Sequence, residues 1–210
     1  MTLLLDAALI VGGLALGRWI ARRVRSRREP RETPPAADST DDVLARPRAD
    51  LPASFPCKLG DVVVRVAERD EAWLAGGLLF AEERPVAALF VAPEAGGDRA
   101  LFVRDAPGAG MTWLAPITAD APAVTKEPPH ALEHDGVRYE RARRLPVNVT
   151  RVGSGAPSVG DRAIVAEYTG PAAMRLLILA GSEQTLSWKG VALGDGEYDV
   201  LPGSPDTLQT

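Results

Sequence analysis

Two histidines and one glutamate are the residues whose spacing most resembles a catalytic motif. His130, Glu133 and His134 follow the order H-x-x-E-H of the inverted zinc-protease motif. That chemistry needs both imidazoles on one helical face to bind Zn²⁺, with the glutamate as general base. Pro128-Pro129 precedes the motif and Asp135-Gly136 follows it, which leaves barely one helical turn. We therefore expect a solvated turn here and assign no metal ligand.

The remaining candidates for chemistry are assigned structural roles. Ser154 lies between two glycines but lacks the G-x-S-x-G spacing of a nucleophile elbow, so we expect it in a loop. Glu82 and Glu83 precede Arg84-Pro85 and predict a solvent-facing turn. Cys57 is the only cysteine, which excludes an intramolecular disulfide, and we expect it to pack rather than react. No catalytic or cofactor-binding residue is assigned.

A basic cluster lies further along the chain. Its members are Arg138, Arg141, Arg143, Arg144 and Arg151. Arg141 and Arg143 share strand parity with the apolar Val137 and Tyr139, which predicts a β-bulge or a strand end. We favour an exposed strand face whose charges pair with nearby carboxylates, and contact with anionic lipid or an acidic partner is the alternative. The carboxylates considered are Glu133, Asp135 and Glu140.

Charge is distributed unevenly along the 210 residues, whose formal net charge is -4. Residues 1–31 carry seven arginines against Asp6 and Glu29, a net of +5. The remaining 179 residues carry 17 basic and 26 acidic side chains, a net of -9. An acidic body of this kind argues against nucleic acid as a partner, because nucleic acid is bound through basic surfaces.

The first residues predict a membrane anchor. Residues 2–20 are largely apolar, and 19 helical residues span roughly 28 Å, close to the hydrocarbon thickness of a bilayer. Arg18 lies near the end of this stretch and Arg22, Arg23, Arg25, Arg27 and Arg28 follow it, and these arginines could contact anionic lipid. Positive charge remains on the cytoplasmic side, so we expect a single-pass protein of the cell membrane, N-terminus out and body cytoplasmic.

Other kinds of N-terminal segment fit these residues less well. A cleaved signal peptide carries its positive charge before the apolar run and not after it. A buried helix is not normally followed by seven arginines, and a surface helix needs a polar face that residues 7–17 lack. A reversed topology would give an envelope-facing body. Gly13 and Gly17 form a G-x-x-x-G pair, which allows a weak homodimer.

Composition divides the chain into four segments. Residues 1–28 are the anchor with its polybasic flank, and residues 29–56 contain six prolines and predict a disordered linker. Residues 57–203 form the body, and residues 204–210 are a tail.

The body predicts a mainly β fold. The chain has 18 prolines and 20 glycines, and from Cys57 onward short apolar runs alternate with turns. About ten strands are expected, with residues 73–80 as one strand and residues 174–180 as a central strand covered on both faces. The architecture is an antiparallel meander, either barrel-like or a sandwich. Each half starts with a strand after a turn, carries a later tryptophan and ends in proline, which suggests two degenerate repeats.

Spaced aromatic and glycine residues connect the body to a known family. In the first half these are Leu59-Gly60-Asp61-Val62-Val63, Trp73-Leu74 to Phe80-Ala81-Glu82-Glu83, and Leu89-Phe90-Val91. In the second half they are Gly136-Val137-Arg138-Tyr139, Glu167-Tyr168, Leu176-Leu177-Ile178-Leu179, Ser187-Trp188, Gly190 and Val200-Leu201-Pro202. Over residues 57–203 the chain resembles the bacterial domain of unknown function DUF4178. That resemblance implies no activity, cofactor or catalytic residue, and only an accessory role at the membrane.

The sequence therefore favours a membrane-anchored cytoplasmic β domain that acts as a non-catalytic binding or accessory module with an unknown protein partner. The alternative is an enzyme of unknown class, in its least implausible form a metal-dependent hydrolase using His130, Glu133 and His134.

Overall fold

The computed structural model describes residues 51–93, 98–106, 108–119, 121–122 and 127–203, and every regular element within those ranges is a β-strand. The strands are β1 Val62–Arg65, β2 Glu71–Trp73, β3 Gly76–Ala81, β4 Pro85–Ala92, β5 Arg99–Arg104, β6 Met111–Pro116, β7 Ala131–His134, β8 Val137–Gly153, β9 Arg162–Thr169, β10 Met174–Gly181, β11 Thr185–Leu193 and β12 Tyr198–Leu201. The predicted mainly β fold is confirmed.

Several expectations fall on other parts of the chain. The predicted anchor and its flank, most of the predicted linker, and the tail of residues 204–210 lie outside the described residues. Within the described residues, no helix has the length and apolar character needed to cross a bilayer.

Eight strands form a closed barrel. Their order is β3-β4-β5-β6-β11-β10-β9-β8, and pairing of β3 with β8 completes the ring. Every pairing in the ring is antiparallel. Closure leaves the eight strands without a free edge, and it decides between the barrel and the sandwich that the sequence left open.

The barrel interior is an apolar core to which all eight strands contribute. One member from each strand is Phe80, Leu89, Phe102, Leu114, Val149, Val165, Leu177 and Trp188. Strand β10 is buried on both faces as predicted, because Leu177 and Leu179 lie in this interior core while Leu176 and Ile178 belong to a core outside the barrel. Burial of these side chains is the main favourable contribution to the fold.

The ring consists of two four-stranded meanders. Strands β3 to β6 form the first, and β8 to β11 form the second. The first strands of the two meanders pair with each other, β3 with β8, and so do the last strands, β6 with β11.

A separate three-stranded sheet, β12-β1-β2, covers the outside of the first meander. The predicted strand over residues 73–80 is wrong in one respect, because β2 ends at Trp73 and β3 begins at Gly76. The chain crosses between sheets at Leu74, whose N–H donates to the carbonyl of Asp61. Phe55 is buried in the core beneath the small sheet and Leu51 packs against it, so this end of the predicted linker belongs to the body.

The outside of the second meander is covered by the hairpin of β7 and β8. Tyr139 and Tyr168 are buried there in a third apolar cluster. The bulge predicted from Arg141 and Arg143 is confirmed, since the pairing of β8 with β9 shifts register between those two residues. Because of this bulge, Tyr139 faces outward whereas Val147, further along the same strand, faces the barrel interior.

Candidate functional site

The H-x-x-E-H motif lies in a strand rather than in the expected turn. Residues 131–134 form β7 and pair with Val137–Glu140 across a hairpin in which Asp135 and Gly136 both have positive φ. His134 is buried and Glu133 is exposed, because successive side chains of a strand point to opposite faces. No group of three potential metal ligands occurs among the residues that the structure describes. The motif therefore lacks the helical geometry of a zinc site.

Two arginines of the basic cluster are held on the outside of the barrel by Glu127. Its carboxylate accepts two hydrogen bonds from Arg144, at 2.7 Å from Nε and 2.8 Å from Nη2. Arg141 lies 3.6 Å from the same carboxylate, and its Nη2 is 3.1 Å from Nδ1 of His130. The hydrogen bond from Arg144 lowers the pKa of Glu127 from its usual value. We call Glu127, Arg141 and Arg144 the outer cluster.

The outer cluster ties a loop to the barrel wall. Arg141 donates to the carbonyl of Pro128, and the buried Tyr168 hydroxyl donates to the carbonyl of Pro129 at 2.8 Å. Residues 127–130 are thereby held over the apolar cluster that contains Tyr168. The outer cluster has a structural role, since each of its charges has a partner.

The predicted ion pairs of the basic cluster are found only in part. Arg138 lies 3.8 Å from Glu140, as expected. Asp135 instead pairs with Lys189 at 2.5 Å, and the hydrogen bond from that ammonium lowers the pKa of Asp135. Arg151 donates to the carbonyl of Ala156 at 2.6 Å. Glu127, the main partner of the cluster, was missed because it precedes the cluster by more than ten residues.

Three arginines and a glutamate share the inner face of the barrel, and we call them the arginine mouth. Its members are Arg104, Arg143, Glu167 and Arg175. Strand register places them there. Arg104 pairs with the interior residue Ala87, Glu167 pairs with the interior residue Leu177, and Arg143 pairs with Glu167. Arg175 is two residues from Leu177, so it lies on the same face of β10.

The bulge in β8 accounts for the position of Arg143. Arg141 lies opposite Tyr168 on the outer face, and two residues later Arg143 lies opposite Glu167 on the inner face. In a regular strand, residues two apart share a face. The extra residue of the bulge therefore turns Arg143 inward and leaves Arg144 outside, next to Glu127.

Glu167 is the single carboxylate of the arginine mouth. Its Oε2 lies 3.7 Å from Nε of Arg104, beyond hydrogen-bond distance. Its Oε1 is buried and has no hydrogen-bond partner among the described residues. Burial raises the pKa of Glu167, and the nearby charges of Arg104, Arg143 and Arg175 offset only part of that effect.

The arginine mouth has more positive charge than its carboxylate can balance. Arg175 donates from Nη1 to the carbonyl of Met174 at 2.9 Å, and this bond balances no charge. Arg143 is exposed and forms no hydrogen bond or ion pair within the described part of the chain. Three guanidinium groups against one carboxylate leave two net positive charges. Guanidinium groups donate hydrogen bonds and stay charged, so the mouth is suited to bind an anion.

Other candidates are less suited to chemistry. Cys57 is buried, and burial together with the nearby Asp61 charge raises its pKa to about 12, so packing is its role as predicted. Ser154 lies in a loop and donates from its N–H to the carbonyl of Ala75 at 2.9 Å, and Glu82 and Glu83 lie in an exposed turn, also as predicted. An open groove of about 630 Å³ passes over β8, β9 and β10, with Arg162 as its one lining cation.

Sequence reasoning missed Arg104, Glu167 and Arg175 as site residues. A usable signal was present, because each is a charged residue at the parity of interior apolar residues on its own strand. Arg104 is two residues from Phe102, and Glu167 is two residues from Val165. Parity alone did not show that the four residues converge, because convergence depends on the strand order of the closed barrel.

Comparison with known proteins gives no family for this chain. No family model, no curated protein and no solved structure matches it. The resemblance to DUF4178 therefore stays a prediction.

Proposed function

We propose that this chain is a membrane-anchored, non-catalytic binding module whose body lies in the cytoplasm and whose ligand site is the arginine mouth. The observation that carries the proposal is the ratio of three guanidinium groups to one carboxylate at the edge of an apolar barrel interior. Arginine keeps its proton at neutral pH, so it can hold a ligand by charge and hydrogen bonds but cannot act as a general base.

The role of the predicted anchor would be to hold the binding module at the membrane. Residues 2–20 would cross the bilayer, Arg18, Arg22, Arg23, Arg25, Arg27 and Arg28 would contact anionic lipid, and Gly13 and Gly17 would permit a weak homodimer. A tether before residue 51 would then hold the mouth within reach of the inner leaflet and of an unknown protein partner.

Thiol labelling in cells tests the topology. The Ala36→Cys variant of the full chain carries a second thiol in the predicted linker, while Cys57 is buried and unreactive. In cells stripped of their outer barrier, a membrane-impermeant maleimide should label position 36 only after lysis. Rapid labelling of intact cells would place the body outside and support the envelope-facing alternative.

We further propose that the two meanders are degenerate copies of one ancestral unit. The pairing of first strand with first and last strand with last supports this, because two copies of one unit related by a two-fold axis would pair in this way. Each meander also has its outer face covered by additional strands of the same chain.

A further inference from the structure

We infer that the arginine mouth binds a phosphate group, either inorganic phosphate or a phosphomonoester. This inference rests on the proposed binding function and names its ligand class. It is carried by the placement of Arg104, Arg143 and Arg175 around Glu167 on the inner face of the barrel.

Charge matching favours a phosphate over a carboxylate. The four side chains of the mouth carry a net charge of two, and a phosphate monoester carries about -1.5 to -2 at neutral pH. A single carboxylate ligand would leave one positive charge unbalanced beside the apolar interior. An unbalanced charge there is costly, because the medium around it screens poorly.

The donor geometry also suits a phosphate. Each guanidinium presents a planar fork of N–H groups that can bind two phosphate oxygens at once. Arg143 is exposed and forms no hydrogen bond or ion pair within the described residues, and Arg104 is only a third exposed, so the donors extend from solvent inward. Three forks offer enough donors for all the oxygens of one phosphate.

Glu167 is the internal counter-ion that offsets one of the three arginine charges and competes with the ligand for them. Its contact with Arg104 is 3.7 Å long, so an entering phosphate breaks no hydrogen bond there. Leu177 and Val165 lie beside it on the same inner face and supply an apolar floor. A low local dielectric strengthens the charged hydrogen bonds that the ligand forms.

Isothermal calorimetry on the detergent-purified full chain tests the inference, with inorganic phosphate as the probe and sodium chloride holding the ionic strength constant. Arg143→Gln and Arg175→Gln should each weaken phosphate binding about tenfold or more, because each removes charged hydrogen bonds. Arg138→Gln is the matched control on the same strand and should change nothing, since that side chain is 75% exposed and pairs with Glu140. Glu167→Gln should strengthen binding, because it removes the competing charge and keeps the shape.

The calorimetric results distinguish failure of the phosphate inference from failure of the proposed binding function. If the protein binds citrate with the same dependence on the arginines and does not bind phosphate, the phosphate inference is overturned. The proposal that the arginine mouth binds a ligand would then still stand. No binding of either anion would overturn both. Phosphate binding that Arg138→Gln weakens as much as Arg143→Gln would reduce the signal to an adventitious surface effect and overturn the site.

Lipid discs distinguish the source of the phosphate. The full chain is placed in phosphatidylcholine discs with or without phosphatidic acid, and the phosphate titration is repeated. Loss of the calorimetric signal in phosphatidic acid discs would assign the site to a lipid phosphomonoester. An unchanged signal would assign it to soluble phosphate, and either result supports the phosphate inference.

Discussion

Arginines on the two faces of strand β8 have opposite electrostatic surroundings. On the outer face, Arg141 and Arg144 share the carboxylate of Glu127, and Arg144 holds it with two hydrogen bonds. On the inner face, Arg143 shares Glu167 with two further arginines and forms no ion pair shorter than 4 Å among the described residues.

The comparison shows that a cluster of like residues in sequence can contain two roles. A charge with a partner contributes to holding a loop in place, whereas charges in excess of their partners are available to a ligand. The bulge between Arg141 and Arg143 separates the two roles over a few residues. The following predictions test whether the outer face is structural and the inner face binds.

The largest expected change in the free energy of unfolding comes from a substitution on the outer face. Tyr168 is fully buried and packs against Ile178 and Leu176, so Tyr168→Ala should lower the free energy of unfolding by about 3–5 kcal/mol. Urea unfolding followed by circular dichroism measures this. Phosphate affinity of the variant that remains folded should be unchanged, because Tyr168 faces away from the mouth. An unchanged urea midpoint would show that the apolar cluster around Tyr168 contributes little to stability.

Tyr168→Phe isolates the hydrogen bond from the packing. It removes only the donor to the carbonyl of Pro129 and should cost about 1 kcal/mol. A loss as large as that of Tyr168→Ala would mean that the hydroxyl, rather than the ring, holds residues 127–130.

Glu167→Gln should change the pH dependence of stability on the inner face. Burial raises the pKa of Glu167 in the folded state, so the folded chain binds the proton more tightly than the unfolded chain. The stability that protonation of Glu167 contributes is therefore fully present below the ordinary glutamate pKa of 4.5. It is lost as the pH rises through the raised pKa of the folded state. Glutamine imitates the protonated form.

Urea midpoints measured from pH 4 to pH 8 test this directly. Glu167→Gln should be more stable than the wild type at pH 7 and should differ less at pH 4. A variant that is less stable than the wild type at pH 7 would show that the arginine charges outweigh the burial of the carboxylate.

Glu127→Gln should change the free energy of unfolding least. The pH dependence of this change should be opposite to that of Glu167→Gln. The hydrogen bond from Arg144 lowers the pKa of Glu127, so its contribution is present above 4.5 and is lost as the pH falls through the lowered value. The carboxylate is exposed to solvent, so the loss of stability at pH 7 should be slight. The same substitution in 1 M salt should cost even less, because salt screens exposed charges, and an unchanged cost would point to packing instead.

Local patterns in the sequence predicted much of the fold. Alternation in Val62–Arg65 marks β1, and the double-sided apolar run of β10 marks a central strand. The shared parity of Arg141 and Arg143 marked the bulge. In each of these cases neighbours along the chain determine the structure.

Other features depend on which strands meet, and local patterns do not contain that information. The change of sheet at Leu74 lies inside a continuous apolar run, so the apolar pattern does not mark it, although Trp73 just before the crossing is exposed. Phe55 follows a proline-rich segment, and only the small sheet explains its burial. The arginine mouth joins β8, β9 and β10, which are neighbours in the second meander, to β5, which belongs to the first meander and pairs with none of them. The contact of Arg104 with Glu167 therefore depends on the two meanders closing into one barrel.

A side-by-side study of Arg143→Gln and Arg144→Gln tests the central claim most directly. The two substitutions are identical in chemistry and adjacent in sequence, and for each the dissociation constant for inorganic phosphate and the urea midpoint are measured on the same sample. Arg143→Gln should lose about tenfold or more in affinity while its midpoint stays unchanged, because Arg104 and Arg175 still face Glu167. Arg144→Gln should keep its affinity and show a slightly lower midpoint, because Glu127 loses its two hydrogen bonds. Equal loss of affinity in both variants would contradict the assignment of binding to the inner face and structure to the outer face.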